Sequence, residues 1–334
     1  MANLKNYDKK IILAVLLCFI FGSAALNSCK KDSTTSEDIP TVDFSTRLSA
    51  YNIYQGTLSD LVPRMEYHPV SLATTLYTDY AEKQRLISLP AGTQMIRSGD
   101  GLPSFPDGTI MVKTFYYYTD LRDLTRGKRI LETRLLIKRL DRWNLATYVW
   151  NDAQSEAFLQ EGGSVTNVSW ITVGGSAMAV NYRIPSAAEC NTCHNSNGTV
   201  IPIGPKLSNL SVTLSNNGQN ENQLAFFQSQ GILNRFAVDQ VAPLPGAFDS
   251  RFTLVERARA YIDVNCAHCH NPNGIAGLTN LHMSFNLPLD RTGISERKTR
   301  ILERVTAGEM PLLGKTVVHQ EGLQLIRDYI ATLP

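Results

Sequence analysis

The sequence predicts an α+β protein in which a β-rich part, residues 46–245, precedes a small all-α domain, residues 246–334. In the first part, residues 109–118 alternate in polarity and are rich in β-branched and aromatic side chains, as a half-buried strand is. In the second part, residues 253–264 and 321–333 repeat apolar side chains at helical spacing. The boundary is placed where the strand pattern gives way to the helical one.

Further strand patterns follow the first one along the chain, and a turn precedes it. Phe105-Pro106-Asp107-Gly108 has the composition of a turn, and residues 71–83 are predicted to form a short helix before it. One strand candidate, residues 130–140, is ambiguous because its apolar spacing also fits a helix. The remaining strand candidates are residues 143–150, 165–173 and 177–184.

Length and composition are those of a globular protein with room for two cores. The chain has 334 residues, of which 43% are hydrophobic and 19% are charged. Its formal net charge is +2, and Lys5, Lys9, Lys10 and Asp8 together account for that +2 within a segment that we expect to be removed. The mature chain is therefore near neutral, which argues against a basic surface for nucleic acid.

The N-terminus has the pattern of a lipoprotein export signal. The basic pair Lys9-Lys10 precedes an apolar run that is too short to span a bilayer. The run leads to Leu26-Asn27-Ser28-Cys29, which resembles the lipobox of bacterial lipoproteins. The resemblance implies that residues 1–28 are removed, that Cys29 carries the lipid anchor, and that residues 29–45 are a flexible tether. We expect an exported protein anchored to a membrane, on the periplasmic side or the outer-membrane surface. The alternative is a plain secretory signal with an accidental cysteine.

The cysteines outside the N-terminal segment form two matched pairs. Cys190 and Cys193 are followed by His194, and Cys266 and Cys269 are followed by His270, so each pair belongs to a C-x-x-C-H motif. This motif is typical of c-type haem attachment. Thiols three residues apart lie on one side of a helical turn, where both can add to the haem vinyl groups, and the next histidine is directed at the iron. The sequence predicts two covalently bound haems c, with His194 and His270 as iron ligands.

Paired cysteines have three other common uses, and each fits this chain less well. A zinc ribbon needs closer pairs than the 72 residues between Cys193 and Cys266 allow. A thioredoxin-type disulfide needs no following histidine. A structural disulfide within C-x-x-C closes too short a loop to stabilise the chain much.

Residues 246–334 resemble a small class I cytochrome c domain. The resemblance rests on a helix before Cys266, a C-terminal helix, and the segment Glu309-Met310-Pro311-Leu312-Leu313-Gly314, which looks like the loop that supplies a methionine ligand in that class. It implies that His270 and Met310, 40 residues apart, are the axial ligands of the second haem. A thioether is a soft ligand that favours reduced iron and raises the potential. The alternative is that Met310 is an ordinary surface or core residue.

The first haem motif has resemblances of its own. Ile203-Gly204-Pro205-Lys206-Leu207 resembles the Gly-Pro-x-Leu turn of class I cytochromes, which implies that the Pro205 carbonyl accepts the Nδ1 proton of His194. A plain surface turn is the alternative. Lys113 lies on an apolar strand face, as in small β-sheet cytochromes whose strand lysine is crosslinked to haem. Snorkelling at a sheet edge is the favoured interpretation of Lys113.

The distal ligand of the first haem is left open by the sequence. No methionine lies between His194 and His282, and ligation by His68, Met178, His282 or Met283 would need an unusual reach. We therefore expect this haem to be five-coordinate or weakly ligated.

The whole mature chain resembles an uncharacterised family of bacterial dihaem c-type cytochrome lipoproteins. The family has no settled activity, so the resemblance supports the architecture more than the function. Two haems in one chain, one of them expected to be six-coordinate, suit electron transfer between a redox partner, such as an exported dehydrogenase or another cytochrome, and a respiratory chain. The alternatives are a dihaem enzyme of the peroxidase type and a gas-binding sensor with an open first haem, and an electron-transfer protein is favoured over a catalyst. The stretches that carry the resemblance are residues 79–83, 105–118, 132–135, 184–186 and 257–270.

Overall fold

A six-stranded antiparallel sheet is the largest element of the computed structural model, which describes residues 42–216 and 218–334. Its strands are hydrogen-bonded in chain order, so each one lies beside its neighbours in sequence. β-branched and aromatic residues predominate in two of the three long central strands, since such side chains pack well on a pleated surface, and the third is richer in leucine and charged residues. The strands are β1 (His68–Pro69), β2 (Glu82–Ser88), β3 (Ile110–Tyr118), β4 (Lys128–Arg139), β5 (Arg142–Trp150) and β6 (Ala157–Leu159).

Three two-stranded sheets and six α-helices complete the described part of the chain. The sheets pair β7 (Ser164–Ile171) with β8 (Ala177–Ile184), β9 (Asn195–Ser196) with β10 (Thr199–Val200), and β11 (Thr213–Asn216) with β12 (Gln219–Asn222). The helices are α1 (Ala187–Cys193), α2 (Leu207–Leu210), α3 (Gln223–Ser229), α4 (Leu254–Asn265), α5 (Lys298–Thr306) and α6 (Gln320–Ala331).

Both faces of the six-stranded sheet are covered. Leu86 and Ile87 are adjacent on β2, point to opposite faces, and enter different apolar clusters. Leu135 and Leu136 on β4 are divided between the same two clusters. A strand that is buried on both faces has a nearly continuous apolar sequence. This explains why residues 130–140 fitted both a helix and a strand, and the structure places them in β4.

The structure confirms the elements that had the clearest periodicity. The strand predictions at residues 109–118, 143–150, 165–173 and 177–184 correspond to β3, β5, β7 and β8. The helix predictions at residues 253–264 and 321–333 correspond to α4 and α6.

The helix predicted at residues 71–83 is not formed. Its backbone N–H groups donate to side chains of distant elements, Thr74 to Asn209 at 2.9 Å and Tyr77 to Asn265 at 2.8 Å. The next residues, 79 and 80, have positive φ angles of 47° and 63°, and β2 begins two residues later. Positive φ angles interrupt a right-handed helix, so the segment is irregular.

Helices α4 and α6 pack closely against each other. α4 begins at Thr253 with a capping box and buries Tyr261 against Ile326 and Tyr329 of α6. Gly322 of α6 faces the Tyr261 ring, and a Cβ atom at this position would collide with the ring hydroxyl. The close approach of the two helices therefore requires a glycine at this point.

The predicted fold class is wrong in its second part, because no small all-α class I cytochrome c domain is evident in the described residues. Twelve strands in antiparallel sheets and a few short helices make a β-rich fold, and residues 42–334 cluster as one compact unit. The C-terminal region is tied to the β-rich part. Lys206 donates to Asp263 of α4 at 2.7 Å, and the Thr316 N–H donates to Asp79 at 2.7 Å. Helical periodicity predicts a helix but not the surface on which it packs, and for this reason the sequence suggested a separate domain.

The predicted signal peptide at residues 1–28, the lipid anchor at Cys29 and most of the tether lie outside the described residues. In the part of the chain that is described, none of the helices has the length and hydropathy that crossing a bilayer would require.

Candidate functional site

Helix α1 presents the first cysteine pair. It begins with a capping box in which the Glu189 N–H donates to the Ser186 hydroxyl and the Ser186 N–H donates to the Glu189 carboxylate. Cys190 and Cys193 lie one turn apart on the same side of this helix. The helix ends at His194, whose N–H donates to the Cys190 carbonyl. One short helix therefore holds two thiols and an imidazole together.

The His194 ring is fixed by the hairpin of β9 and β10. Its Nδ1 lies 2.8 Å from the Ile201 carbonyl oxygen, and the Ile201 N–H donates to the His194 carbonyl at 2.7 Å. A carbonyl oxygen can only accept, so Nδ1 carries the proton and Nε2 keeps its lone pair for a metal. Burial lowers the pKa of His194 to about 4, which keeps the ring neutral at ordinary pH. The acceptor predicted from the sequence, Pro205, is thus corrected to Ile201, because the tight hairpin returns the chain to His194 before it reaches Pro205.

Cys190, Cys193 and His194 lie in the wall of a cavity between the sheet and the loops that cover it. Its lining is mostly apolar, which suits a flat hydrophobic macrocycle. The apolar side chains on the sheet side are Ile87, Met111, Leu136 and Leu145. Two thiols, an oriented imidazole and apolar walls together fit a haem attached at this motif.

Three cations interrupt the apolar sheet wall. Arg85 on β2 is paired in register with Lys113 on β3, and Lys113 is paired with Arg134 on β4. Arg134 donates to the fully buried Glu132 at 2.5 Å, and Glu132 also accepts from the Tyr182 hydroxyl at 2.6 Å. Burial, reinforced by the neighbouring cations, holds the pKa of Lys113 well below its ordinary value. The sequence indicated the apolar face of Lys113, but the strand pairing is needed to place it between two arginines.

The second motif follows helix α4. Cys266 is the residue after the helix, and the His270 N–H donates to the Cys266 carbonyl at 3.0 Å. Burial raises the pKa of Cys266 to about 12. The Nδ1 atoms of His268 and His270 are buried and have no hydrogen-bond partner among the described residues. Buried polar atoms without partners are rare in folded proteins, so these imidazoles mark a place where another group is expected.

The two motifs meet in space. The Sγ atoms of Cys193 and Cys269 and a ring nitrogen of His268 all lie within 4.8 Å of one another. The contact between the two cysteines raises the pKa of Cys193 and lowers that of Cys269, as expected when the Cys193 thiol donates to Cys269. These three side chains are also able to hold a metal ion, although structural zinc sites have four ligands.

Met310 lies on the loop that follows α5, with 37% of its surface exposed. The residues after it, Pro311, Leu313 and Lys315, line the cavity of the first motif. The predicted role of Met310 as a ligand of the second haem stays a prediction.

The methionines and histidines considered for the distal side of the first haem are scattered. Met178 lies on β8 and is 40% exposed, Met283 is buried in the cluster between α4 and α6, and His68 is half-buried on β1. Met95 and Met111, in contrast, line the cavity. The sequence carried no signal for them as ligands, because a methionine in an apolar segment has the same pattern whether it fills a core or faces a cavity.

Comparisons with protein-family models, with curated proteins and with solved structures find no match to this chain. The class to which the protein belongs is therefore inferred from its motifs and from the geometry of the site.

Proposed function

We propose that this protein is an exported, lipid-anchored dihaem c-type cytochrome that transfers electrons between a periplasmic or surface redox partner and a respiratory chain. The observation that carries the proposal is the presence of two C-x-x-C-H motifs, Cys190–His194 and Cys266–His270, which use every cysteine after Cys29. The export pattern that ends at Cys29 supports it, because haem is attached to such motifs outside the cytoplasm.

In this proposal each cysteine pair attaches one haem by a redox-neutral addition. A thiol adds across a haem vinyl group, so that a sulfur–carbon bond forms and the thiol hydrogen goes to the neighbouring carbon without any oxidant. The haem supplies an iron that alternates between the ferrous and ferric states. His194 offers Nε2 to it, and the bond to Ile201 keeps the ring oriented. His270 has the same role in the second motif.

The closeness of the two motifs supports electron transfer between the haems. Cys193 and Cys269 belong to different motifs, and their Sγ atoms lie within 4.8 Å of each other. These two sulfur atoms would hold one haem each, so the attachment points of the two haems would be close together, as electron transfer between them requires. The apolar lining of the first cavity also limits the access of water, which influences the potential of a bound haem.

The mass of the denatured, acid-extracted protein tests the proposal. We expect the protein to retain the mass of two haems, because thioether bonds survive an extraction that removes non-covalent haem. The double variants Cys190→Ala/Cys193→Ala and Cys266→Ala/Cys269→Ala should each retain one haem. A matched control, Cys18→Ala, changes a cysteine in the expected signal segment and should retain both. Isolation of a haem-free protein that carries zinc would overturn the proposal.

A second candidate function is favoured by the cations in the cavity wall. Arg85 and Lys113 place cationic groups in a mostly apolar cavity, where they could act on a small molecule bound beside the first haem. An enzyme of the peroxidase type or a gas-binding sensor would use such groups beside the first haem. Either function needs an open coordination position on that haem, which distinguishes it from a carrier with two fully ligated haems.

A further inference from the structure

The cation row in the sheet wall, Arg85, Lys113 and Arg134, carries more positive charge than the neighbouring side chains neutralise. The three residues are opposite one another on three adjacent strands. Both oxygens of the Glu132 carboxylate accept from Arg134, at 2.5 and 2.8 Å. Within the described part of the chain, neither Arg85 nor Lys113 forms an ion pair with a carboxylate.

Other carboxylates near the cation row are committed elsewhere. Glu189, which also lines the cavity, accepts from Arg183 at 2.5 Å and from the Ser186 N–H at 2.9 Å. Glu82 is exposed and, three residues before Arg85 on β2, lies on the opposite face of the sheet. Its charge acts to raise the pKa of Arg85, but burial outweighs it and lowers that pKa to about 10. Like charges directly opposite one another destabilise a sheet. The cation row is therefore expected to have an anionic partner that is not a side chain.

The two unneutralised cations line the cavity, and an aromatic ring orders one of them, Lys113, together with the neighbouring Arg134. Arg85 and Lys113 are half-buried, and both line the cavity. The Lys113 Nζ lies 4.9 Å from the centroid of the buried Phe115 ring, and the Arg134 guanidinium lies 4.5 Å from the same centroid. The aromatic face attracts both cations and orders them. An anion that enters the cavity would thus meet donors that are already positioned.

A second cavity reaches the cation row from the solvent side. Its volume is about 1990 Å³, counted with the part that is open to solvent, and Arg85 and Tyr77 line both cavities. The Tyr77 hydroxyl is buried and has no hydrogen-bond partner among residues 42–216 and 218–334. Lys83, on the same face of β2 as Arg85, lines the second cavity with His319. The second cavity therefore gives an anion from solvent a place next to Tyr77 and Arg85.

We propose that Arg85 and Lys113, together with the Tyr77 hydroxyl, form a binding site for a carboxylate or a small oxyanion in the wall of the first-haem cavity. The haem in that cavity is taken from the proposed function, whereas the anion site itself does not depend on it. Two sources can supply the anion, namely the propionate groups of the first haem and a free monovalent oxyanion that enters through the second cavity. The arginine fork binds two oxygens of either one, and the lysine ammonium donates a further charge-assisted hydrogen bond.

The test uses the purified full chain with Arg85→Gln and Lys113→Met, and with Arg139→Gln as the matched control. Arg139 ends β4 and is exposed, so its replacement removes one positive charge without changing the cavity. The midpoint of thermal unfolding is measured against sodium formate, with sodium chloride at the same ionic strength as the reference. The midpoint potentials of the haems are measured across neutral pH.

If the site takes a free oxyanion, formate raises the unfolding midpoint of the wild type saturably, because it binds the folded state. Each cavity variant should weaken the apparent formate affinity about tenfold or more, since it loses a charge-assisted hydrogen bond. Arg139→Gln should behave as the wild type. Arg85→Lys keeps the charge but not the fork and should bind formate with intermediate affinity.

If the propionates occupy the site, formate has no specific effect, and both cavity variants instead make the potential of one haem depend on pH near neutrality. A carboxylate that loses its cationic partner has a raised pKa, and Arg139→Gln should not produce this change. The site is overturned if neither saturable formate binding nor a variant-specific pH dependence is found. A haem-free chain would refute the proposed function. The effect of formate on the unfolding midpoint would then decide by itself whether the anion site exists. If Lys113→Met does not fold, the measurements on Arg85→Gln alone decide whether the anion site exists.

Discussion

Single side chains in and beside the first cavity differ in whether their charge has a partner. The two oxygens of the buried Glu132 accept hydrogen bonds from Arg134 and the Tyr182 hydroxyl, so both oxygens of this carboxyl group have a partner and one of them has two. Removing one partner of such a buried pair typically costs about 3–5 kcal/mol. Lys83 has no such carboxylate partner among the described residues and donates to the Ala81 carbonyl at 2.8 Å. Burial lowers the pKa of Lys83 to about 7.

The lowered pKa of Lys83 predicts that the protein becomes more stable as the pH rises above neutrality. In the unfolded chain a lysine titrates at about 10.4, whereas the pKa of Lys83 in the folded protein is about 7. Between these two values the unfolded state binds more protons than the folded state. The free energy of unfolding therefore increases with pH over this window and levels off above it.

Chemical denaturation at a series of pH values measures this effect. Lys83→Met should remove the contribution of Lys83 to the pH dependence. Lys83→Arg stays charged throughout, so it should also remove that contribution, but with a lower stability at alkaline pH. If the free energy of unfolding depends on pH in the same way for Lys83→Met and the wild type, the pKa of Lys83 is not lowered.

Short elements assemble each motif. Helix α1 holds the first two thiols, and the hairpin of β9 and β10 orients His194. Helix α4 leads directly into Cys266, and α6 supports α4 where Gly322 meets Tyr261. A glycine inside a helix normally costs about 0.5–1 kcal/mol relative to alanine. Gly322 is therefore explained by the space that the helix crossing leaves, and not by helix propensity.

Gly322→Ala should destabilise the protein by about 1–3 kcal/mol, because the new methyl group must displace the Tyr261 ring. An ordinary glycine-to-alanine change within a helix raises the free energy of unfolding, whereas this one should lower it. Gly101→Ala is the control, since a Cβ atom at that position meets no heavy atom within 4 Å. Urea denaturation measures both variants, and a Gly322→Ala variant more stable than the wild type would show that the two helices pack less closely.

Across the whole molecule, the loop after α5 connects the surroundings of the two motifs. Pro311 and Leu313 line the cavity of the first motif, and Met310 is the predicted ligand of the second haem. The end of this loop is fixed because Asp79 accepts from the N–H groups of Thr316 and Val317, at 2.7 and 3.0 Å. If the proposed function is right, this loop would lie beside both haems, and the two haems are predicted to differ in ligation.

The two haems should differ in their response to carbon monoxide. The reduced wild type should bind about one equivalent per chain, because the first haem is predicted to be five-coordinate and the second to have Met310 as its sixth ligand. Met310→Ala should bind about two equivalents, lose the charge-transfer band between methionine and ferric iron, and show a lower potential for the second haem. These changes are measured by absorption titration and redox potentiometry.

Met178→Ala is the control for the carbon monoxide experiment, because Met178 is an exposed methionine on β8. It should leave the band and the stoichiometry unchanged. If the wild type binds no carbon monoxide, the first haem is six-coordinate and the enzyme and sensor candidates are rejected. If Met310→Ala keeps the charge-transfer band, the ligand of the second haem is another residue.

The local sequence pattern was sufficient to predict the elements and motifs whose signal lies within a short run of consecutive residues. Periodicity predicted β3, β5, β7, β8, α4 and α6, because each of these elements buries a regular stripe or an alternating face. The two cysteine motifs were visible for the same reason, since five consecutive residues carry each one. Local pattern was ambiguous for β4, which is buried on both faces, and misleading for residues 71–83, whose backbone binds distant side chains.

The remaining features depend on contacts between distant parts of the chain. Cys193 and Cys269 are 76 residues apart in sequence and touch in the fold. The row of Arg85, Lys113 and Arg134 exists because of the pairing register of three strands. The C-terminal helices pack mainly against one another, but Ala260 and Val264 of α4 also contact residues 73 and 76, and residues 42–334 form one compact unit. The surface that each helix buries is chosen by the free energy of the whole chain. A short segment of the sequence does not contain the information on which surface each helix packs. Only the tertiary structure shows this, because the packing depends on contacts between distant residues.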